Sequence, residues 1–327
     1  MNSHRRSLRL LFPAALTLTL AVGLVATCVT VMRNAARFWP IAFTPKSNTT
    51  REESRVRLHS LMDRGTRFRE MGHYQEAEPP LREALALAEE AFGSQSFETA
   101  AVLNQLGVLG KYNGQFDEAE AAYKRALRIM EQTGGLENEL GATLFHNLGG
   151  LEHARGRFAA GEPYARRAVE IRERLRGPDH TQTAADVAAL AAILDGQGKY
   201  QEAEPMYRRA LSVFERTYGA EHYEVAINLN NLAALCQATG RAQEAEALYL
   251  RALAIKEKLL GPNHPDVGVT LNNMAVFYKS QGRLEEAAQN YRRAIEIFKQ
   301  SLDPSHPKLK TCQENYDQLL REMSQRM

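Results

Sequence analysis

The sequence predicts an all-α solenoid of six helix pairs and a C-terminal capping helix, preceded by one membrane-spanning helix. Three observations carry this expectation. Glycines recur every 42 residues, at Gly72, Gly114, Gly156, Gly198, Gly240 and Gly282. Columns of small residues run at the same period through segments whose apolar positions have helical spacing. A stretch of 23 residues without a charge opens the chain, from Leu10 to Met32.

The opening stretch, LLFPAALTLTLAVGLVATCVTVM, is preceded by HRRSLR and followed by Arg33 and Arg37. As a helix it would be about 35 Å long, enough for a hydrocarbon core of about 30 Å. Phe38 and Trp39 stand where an interfacial anchor is expected. The competing reading is a signal peptide cut near Ala21-Val22-Gly23, which would release an exported or secreted domain. Three basic residues lie on each side of the span. The α-amino group and the closer packing of the first three favour an inside N-terminus and a C-terminal domain on the non-cytoplasmic side, the periplasm in a bacterium. Residues 1–9 form a basic flank, and residues 33–57, with two prolines and a polar run, read as a linker.

Charge divides the chain at about the same place. The formal net charge is +2, yet residues 1–50 hold six basic residues and no acid, which leaves 35 basic against 39 acidic residues beyond. No basic excess points to nucleic acid. Three cysteines exclude a disulfide scaffold, and no Cys/His cluster has zinc-ligand spacing.

From residue 58 to 323 the period dictates the elements. Repeats fall at 58–92, 97–134, 139–176, 181–218, 223–260 and 265–302, with a cap at 307–323. In the first helix of each repeat, Leu61, Leu103, Phe145, Val187, Leu229 and Leu271 are followed four residues on by Gly65, Gly107, Gly149, Ala191, Ala233 and Ala275. The second helices carry Ala77, Ala119, Gly161, Ala203, Ala245 and Ala287, then Ala84, Ala126, Ala168, Ala210, Ala252 and Ala294. Every residue in these columns is Gly or Ala, because anything larger than a methyl would push paired helices apart. Gly177, Gly219 and Gly261 follow second helices where a left-handed terminal residue is wanted. Pro265 and Pro307 open the next first helices, at a position that needs no amide donor.

Small residues at these three positions, with Gly-x-Tyr at the turn, make the body resemble the tetratricopeptide repeat (TPR). The 42-residue spacing and GPNHPDVGVTLNNMAVFYKSQGRLEEAAQNYRRAI (261–295) are similar to the kinesin-light-chain type. The resemblance implies antiparallel helix pairs in a right-handed superhelix with first helices lining an inner groove. It also implies that the groove binds a peptide or protein segment. Asp317 replaces a small residue in the last segment, which marks it as a cap, and Arg64 marks an exposed first repeat.

By that register the groove residues are Asn104, His146, Asn230 and Asn272 in one column and Asn147, Asn231 and Asn273 beside it. Arg69, Lys111, His153, Gln237 and Lys279 follow further along the helices. Asparagine inside a helix costs several tenths of a kcal/mol relative to alanine, so its recurrence wants a cause. Two remain open: carboxamides that grip a peptide backbone, and an asparagine ladder that holds neighbouring first helices in register. The two-carboxylate clamp of chaperone-binding members needs lysines that are missing from these columns. Ala185, Ala188, Ala189 and Ala192 leave one repeat with a nearly featureless groove face.

His180, His222, His264 and His306 recur at 42 residues but sit in successive loops and cannot converge on one ion, so they read as loop-to-helix caps. Phosphate loops, nucleophile elbows, HExxH and dinucleotide fingerprints are missing from the sequence. The expectation is therefore a non-enzymatic, membrane-tethered interaction scaffold without cofactor, metal, nucleic acid or small-molecule substrate. Its partners would be a protein or peptide in the groove and the membrane at the N-terminal helix. The alternatives are a structural subunit of a membrane complex that uses the outer solenoid surface, and a cytosol-facing regulatory module.

Overall fold

A computed structural model describes residues 48–325, with side chains from residue 50 onward. The expected membrane segment 10–32, the basic flank and most of the linker lie outside the described residues. Among the described residues no helix is long and apolar enough to cross a membrane.

Thirteen α-helices, and no strand, occur among the described residues. They are α1 (Asn48–Glu70), α2 (Tyr74–Phe92), α3 (Phe97–Tyr112), α4 (Phe116–Thr133), α5 (Glu139–Ala154), α6 (Phe158–Arg176) and α7 (Thr181–Gly196). The chain continues through α8 (Tyr200–Tyr218), α9 (Tyr223–Ala238), α10 (Ala242–Leu260), α11 (Pro265–Ser280), α12 (Leu284–Ser301) and α13 (Pro307–Ser324). Helices α1 to α12 pair in sequence through short turns and pack along their lengths. First helices of neighbouring repeats also touch one another, so they crowd on the inner side.

One expectation needs correction. Residues 48–57, read as linker, belong to α1. Their helical state has partners: Ser54 Oγ donates to the Thr50 carbonyl at 2.8 Å, and Arg55 pairs with Glu98 at 3.2 Å. The Arg55 guanidinium also lies 5.6 Å from the Phe92 ring centroid, while Leu58 is fully buried. The polar run is a solvated helix face rather than a break.

The small-residue columns sit where paired helices meet. A Cβ added to Gly65 would stand 2.5 Å from Leu81 Cγ, and one added to Gly107 would stand 2.4 Å from Tyr123 Cε1. Ala77, Ala119, Ala203, Ala245 and Ala287 are fully buried. Tyr123, Tyr207, Tyr249 and Tyr291 pack as an equally buried column on the second helices.

Each histidine of the loop column caps a helix. Nδ1 of His180, His222, His264 and His306 accepts from the backbone N–H two residues on, at 3.0–3.2 Å. That acceptor role at Nδ1 leaves Nε2 to carry the proton.

For two of these histidines Nε2 reaches another turn of the solenoid. His264 Nε2 meets the Glu70 carbonyl at 3.0 Å, and His306 Nε2 meets the Tyr112 carbonyl at 2.7 Å, each across 194 residues. The N-termini of α11 and α13 thus dock on the C-terminal ends of α1 and α3, and the inner groove is closed along this seam. Gly72 and Gly114, at φ +79° and +75°, lie under it. A Cβ at Gly114 would approach Pro307 Cδ to 2.6 Å, so both conformation and contact require glycine there.

The outer face carries a second periodic device. Arg209, Arg251 and Arg293 pair with Glu173, Glu215 and Glu257 of the preceding second helix, at 2.9, 2.7 and 2.5 Å. Each also donates to a loop carbonyl, of Pro178, Ala220 and Pro262. Pairs this exposed contribute up to about 1 kcal/mol each.

Two outcomes follow from this packing. Ala245→Leu should destabilise the fold by about 1–3 kcal/mol through overpacking; urea unfolding measures it, and a negligible change would place Ala245 away from a helix contact. His306 has its pKa lowered to about 4, chiefly by burial and then by Lys308. The unfolded chain, with an ordinary histidine near 6.5, binds the proton first. The contribution is complete above about pH 6.5 and is lost as pH falls toward 4. His306→Asn keeps a capping side chain, and its stability relative to wild type should improve steadily between pH 7 and 4.5. Parallel pH profiles would contradict a neutral His306 at the seam.

Candidate functional site

The inner face is built by first helices, and its expected ligand-facing columns are already desolvated within the chain. Asn104, His146, Asn230 and Asn272 are 2, 2, 3 and 6% exposed. Asn147, Asn231 and Asn273 beside them are equally buried.

Some of these carboxamides join. Asn147 Nδ2 donates to Asn104 Oδ1 at 2.7 Å, and Asn273 Nδ2 donates to Asn230 Oδ1 at 3.4 Å. Each rung links a first helix to the next, as the ladder reading requires. The ladder is incomplete. Asn231 stands one rung-spacing after Ala188, which offers no acceptor, and its Nδ2 is buried without a partner. Asn272 Oδ1 is likewise unpartnered. A buried polar atom left unsatisfied costs about 1–3 kcal/mol, a cost that both atoms bear until an ordered water or a shift of the surrounding side chains supplies a partner.

His146 belongs to a different arrangement. Its Nδ1 lies 2.7 Å from Asp186 Oδ1, and Asp186 Oδ2 accepts from Arg172 Nε at 3.0 Å. Arg172 also donates to Thr143 Oγ1 at 3.1 Å and pairs with Glu139. Burial raises the Asp186 pKa, but the Arg172 guanidinium and His146 outweigh it and hold the carboxyl below its ordinary range. Sequence reading missed this network, although a signal exists. Arg172 stands in the column of Met130, Phe214 and Phe298, and Asp186 in that of Val102 and Leu144. Lys256 departs from the same apolar column as Arg172, and its Nζ donates to Thr270 Oγ1 at 2.9 Å, again fourteen residues on. A cation placed in an apolar column with a polar residue fourteen positions later is the readable trace.

The third column divides. Lys279 is held by Glu322 of α13 at 2.9 Å, and Gln237 Oε1 accepts from the Tyr249 hydroxyl at 3.3 Å. Burial, then Lys111, lowers the His153 pKa to about 4, and the imidazole lies edge-on to Phe158. Asp195, at the same position of its repeat and not singled out from sequence, has its pKa raised to about 7 by burial. Lys111 is the exception, with no carboxylate in ion-pair range among the described residues. Burial first, then Lys308 and Arg69, lowers its amine to about 7.

The structure therefore brings Asn104 to Asn147 and Asn230 to Asn273, engages His146, Gln237 and Lys279 within the chain, and leaves Asn231, Asn272 and Lys111 with unspent polar capacity. Among the described residues no group of His, Cys, Asp and Glu is placed to hold a metal. Cys236 and Cys312 are buried free thiols.

Comparison with known proteins places this architecture. The tetratricopeptide repeat model matches residues 55–132, 141–216, 184–258, 224–300 and 266–325. BtubC (BKLC) from P. vanneervenii has a similar structure, with TM-score 0.50 and 24% identity over 78% of this chain and 94% of that one. A Rap protein complexed with competence and sporulation factor has TM-score 0.56 and 14% identity over 85% and 79%. A putative kinesin light chain from Podosopora anserina reaches TM-score 0.49 and 25% identity over 63% and 96%. No curated relative matches the sequence. With family matches running from residue 55 to 325 and the repeat architecture in place, the chain belongs to the tetratricopeptide repeat family.

Proposed function

We propose that the chain is a non-enzymatic protein-interaction scaffold that takes a peptide or protein segment along its inner face. The observation that carries this reading is the pair of unsatisfied carboxamide atoms on neighbouring first helices, Asn231 Nδ2 and Asn272 Oδ1. One is a donor and the other an acceptor, which is what an extended peptide backbone can satisfy without regard to its side chains. A protein of the same fold, Rap, has been solved with competence and sporulation factor bound. That supports a partner-binding scaffold by analogy of fold.

The proposal includes a tether. The uncharged segment Leu10–Met32 has the length of a membrane span, and anchoring would confine the solenoid to a membrane-proximal volume and raise its effective concentration for other membrane-bound or exported proteins. A second reading is favoured by the seam: because it closes the groove, an outer-surface role as a structural subunit of a membrane complex would need no opening.

The double substitution Asn231→Ala and Asn272→Ala, which breaks neither ladder rung, separates these readings. Inner-face binding predicts loss of the partners co-purified with the wild-type chain from its own membranes, with thermal stability near wild type. Retention of the same partners would point to the outer surface. The tether predicts that the full chain stays in the membrane pellet after alkaline carbonate extraction and that deletion of residues 1–32 releases it. Release of the intact chain would remove the anchor from the proposal.

A further inference from the structure

Three cations from three separate elements surround one aromatic ring at the seam. The Arg69 guanidinium carbon, Lys111 Nζ and Lys308 Nζ lie 5.6, 5.6 and 5.7 Å from the Tyr112 ring centroid. Arg69 ends α1, Lys111 ends α3, and Lys308 begins α13, so the cluster exists only because the seam is closed. Each cation gains something from the ring face, but a single tyrosine cannot neutralise three like charges.

Opposing charge is scarce here. Glu70 lies 3.7 Å from the far nitrogen of Arg69, and Asp266 acts on Lys308 while also accepting the Tyr223 hydroxyl. Lys256, anchored on Thr270, adds a fourth cation on the Asp266 side. Among the described residues neither Lys111 nor Lys308 has a carboxylate within ion-pair distance. Arg69 is 5% exposed, and its Nε has no hydrogen-bond partner. His153 is 3% exposed and interacts electrostatically with Lys111, and its Nδ1 is also unpartnered. Lys111 Nζ sits 3.5 Å from where a side chain would begin at Gly150, so the glycine leaves the amine room on the inner side. Like charges this close together and partly desolvated are unfavourable without a counter-ion.

We propose that this seam is a binding site for a phosphate-type oxyanion, either free or carried by a small phosphorylated molecule, held by Arg69, Lys111 and Lys308. A tetrahedral dianion fits better than a single carboxylate for two reasons. It carries enough charge to answer the cation excess, and its oxygens can accept from donors that arrive from three directions. The anion would bridge the first repeat, the second repeat and the capping helix, and so stabilise the closed solenoid. The site shares Lys111 with the columns expected to face the groove, but it uses none of the asparagines on which the peptide reading rests.

The test uses the full-length chain in detergent at pH 7 and constant ionic strength, titrated with inorganic phosphate and, separately, with a sugar phosphate. Calorimetry should show saturable binding of one of the two per chain, with a matching rise in thermal midpoint, and the tighter ligand identifies the source. Lys111→Met and Lys308→Met should each weaken binding by about tenfold or more, and Lys111→Arg should retain it. Phosphorus NMR line broadening on the wild-type chain gives a second measure that needs no variant. Absence of saturable heat and of broadening with both ligands would overturn the proposal. So would an equal phosphate-induced stabilisation of wild type and both methionine variants, which is the signature of general exclusion from the protein surface.

Discussion

The close approach of paired helices is the constraint from which the rest follows. Two helices can pack backbone to backbone only where nothing larger than a methyl intervenes, and the three Gly/Ala columns supply that contact six times over. With the pair fixed, the angle between repeats is set by what first helices place against each other. With that angle repeated, the sixth pair and the cap arrive back at the first and second. The seam is a sum of local geometries rather than the product of a dedicated closing element.

Elements and pairings were legible because they depend on local, periodic features. Gly/Ala at a helix contact, glycine at a left-handed turn and histidine before a first helix each read the same in every repeat. The start of α1 was not legible, since the support for residues 48–57 comes from Phe92 and Glu98, which lie 35 or more residues away in sequence. The seam was illegible for the same reason on a larger scale. His264 and His306 differ from His180 and His222 in being followed by Pro265 and Pro307, but a proline there reads locally as a helix start, and nothing in it announces carbonyls 194 residues away. The site stands between these cases. Its asparagine columns followed from register, but whether a given carboxamide is spent in a rung or left open depends on its neighbour, and Ala188 opposite Asn231 decides one instance.

Burial of polar groups on the inner face sorts them by what they can still do. The Arg172–Asp186–His146 cluster draws its charges together within the chain and joins α5, α6 and α7. Such a cluster adds specificity of packing more than stability, because desolvating the charges offsets much of their attraction. The unpaired carboxamides and the Lys111 amine are different in kind. They carry a desolvation cost that nothing in the chain returns, and in a folded protein such groups gather where a partner completes them.

Because both contacts at the seam span the same 194 residues, the seam is itself periodic. The outer Arg–Glu pairs and the Gly/Ala columns accept any number of 42-residue units, since each unit sees only its neighbours. Duplication or loss of one unit would satisfy all of them. It would also hand the Glu70 carbonyl to another member of the histidine column, still 194 residues on. The seam therefore gauges how many repeats make one turn of the solenoid, and not how long the array is.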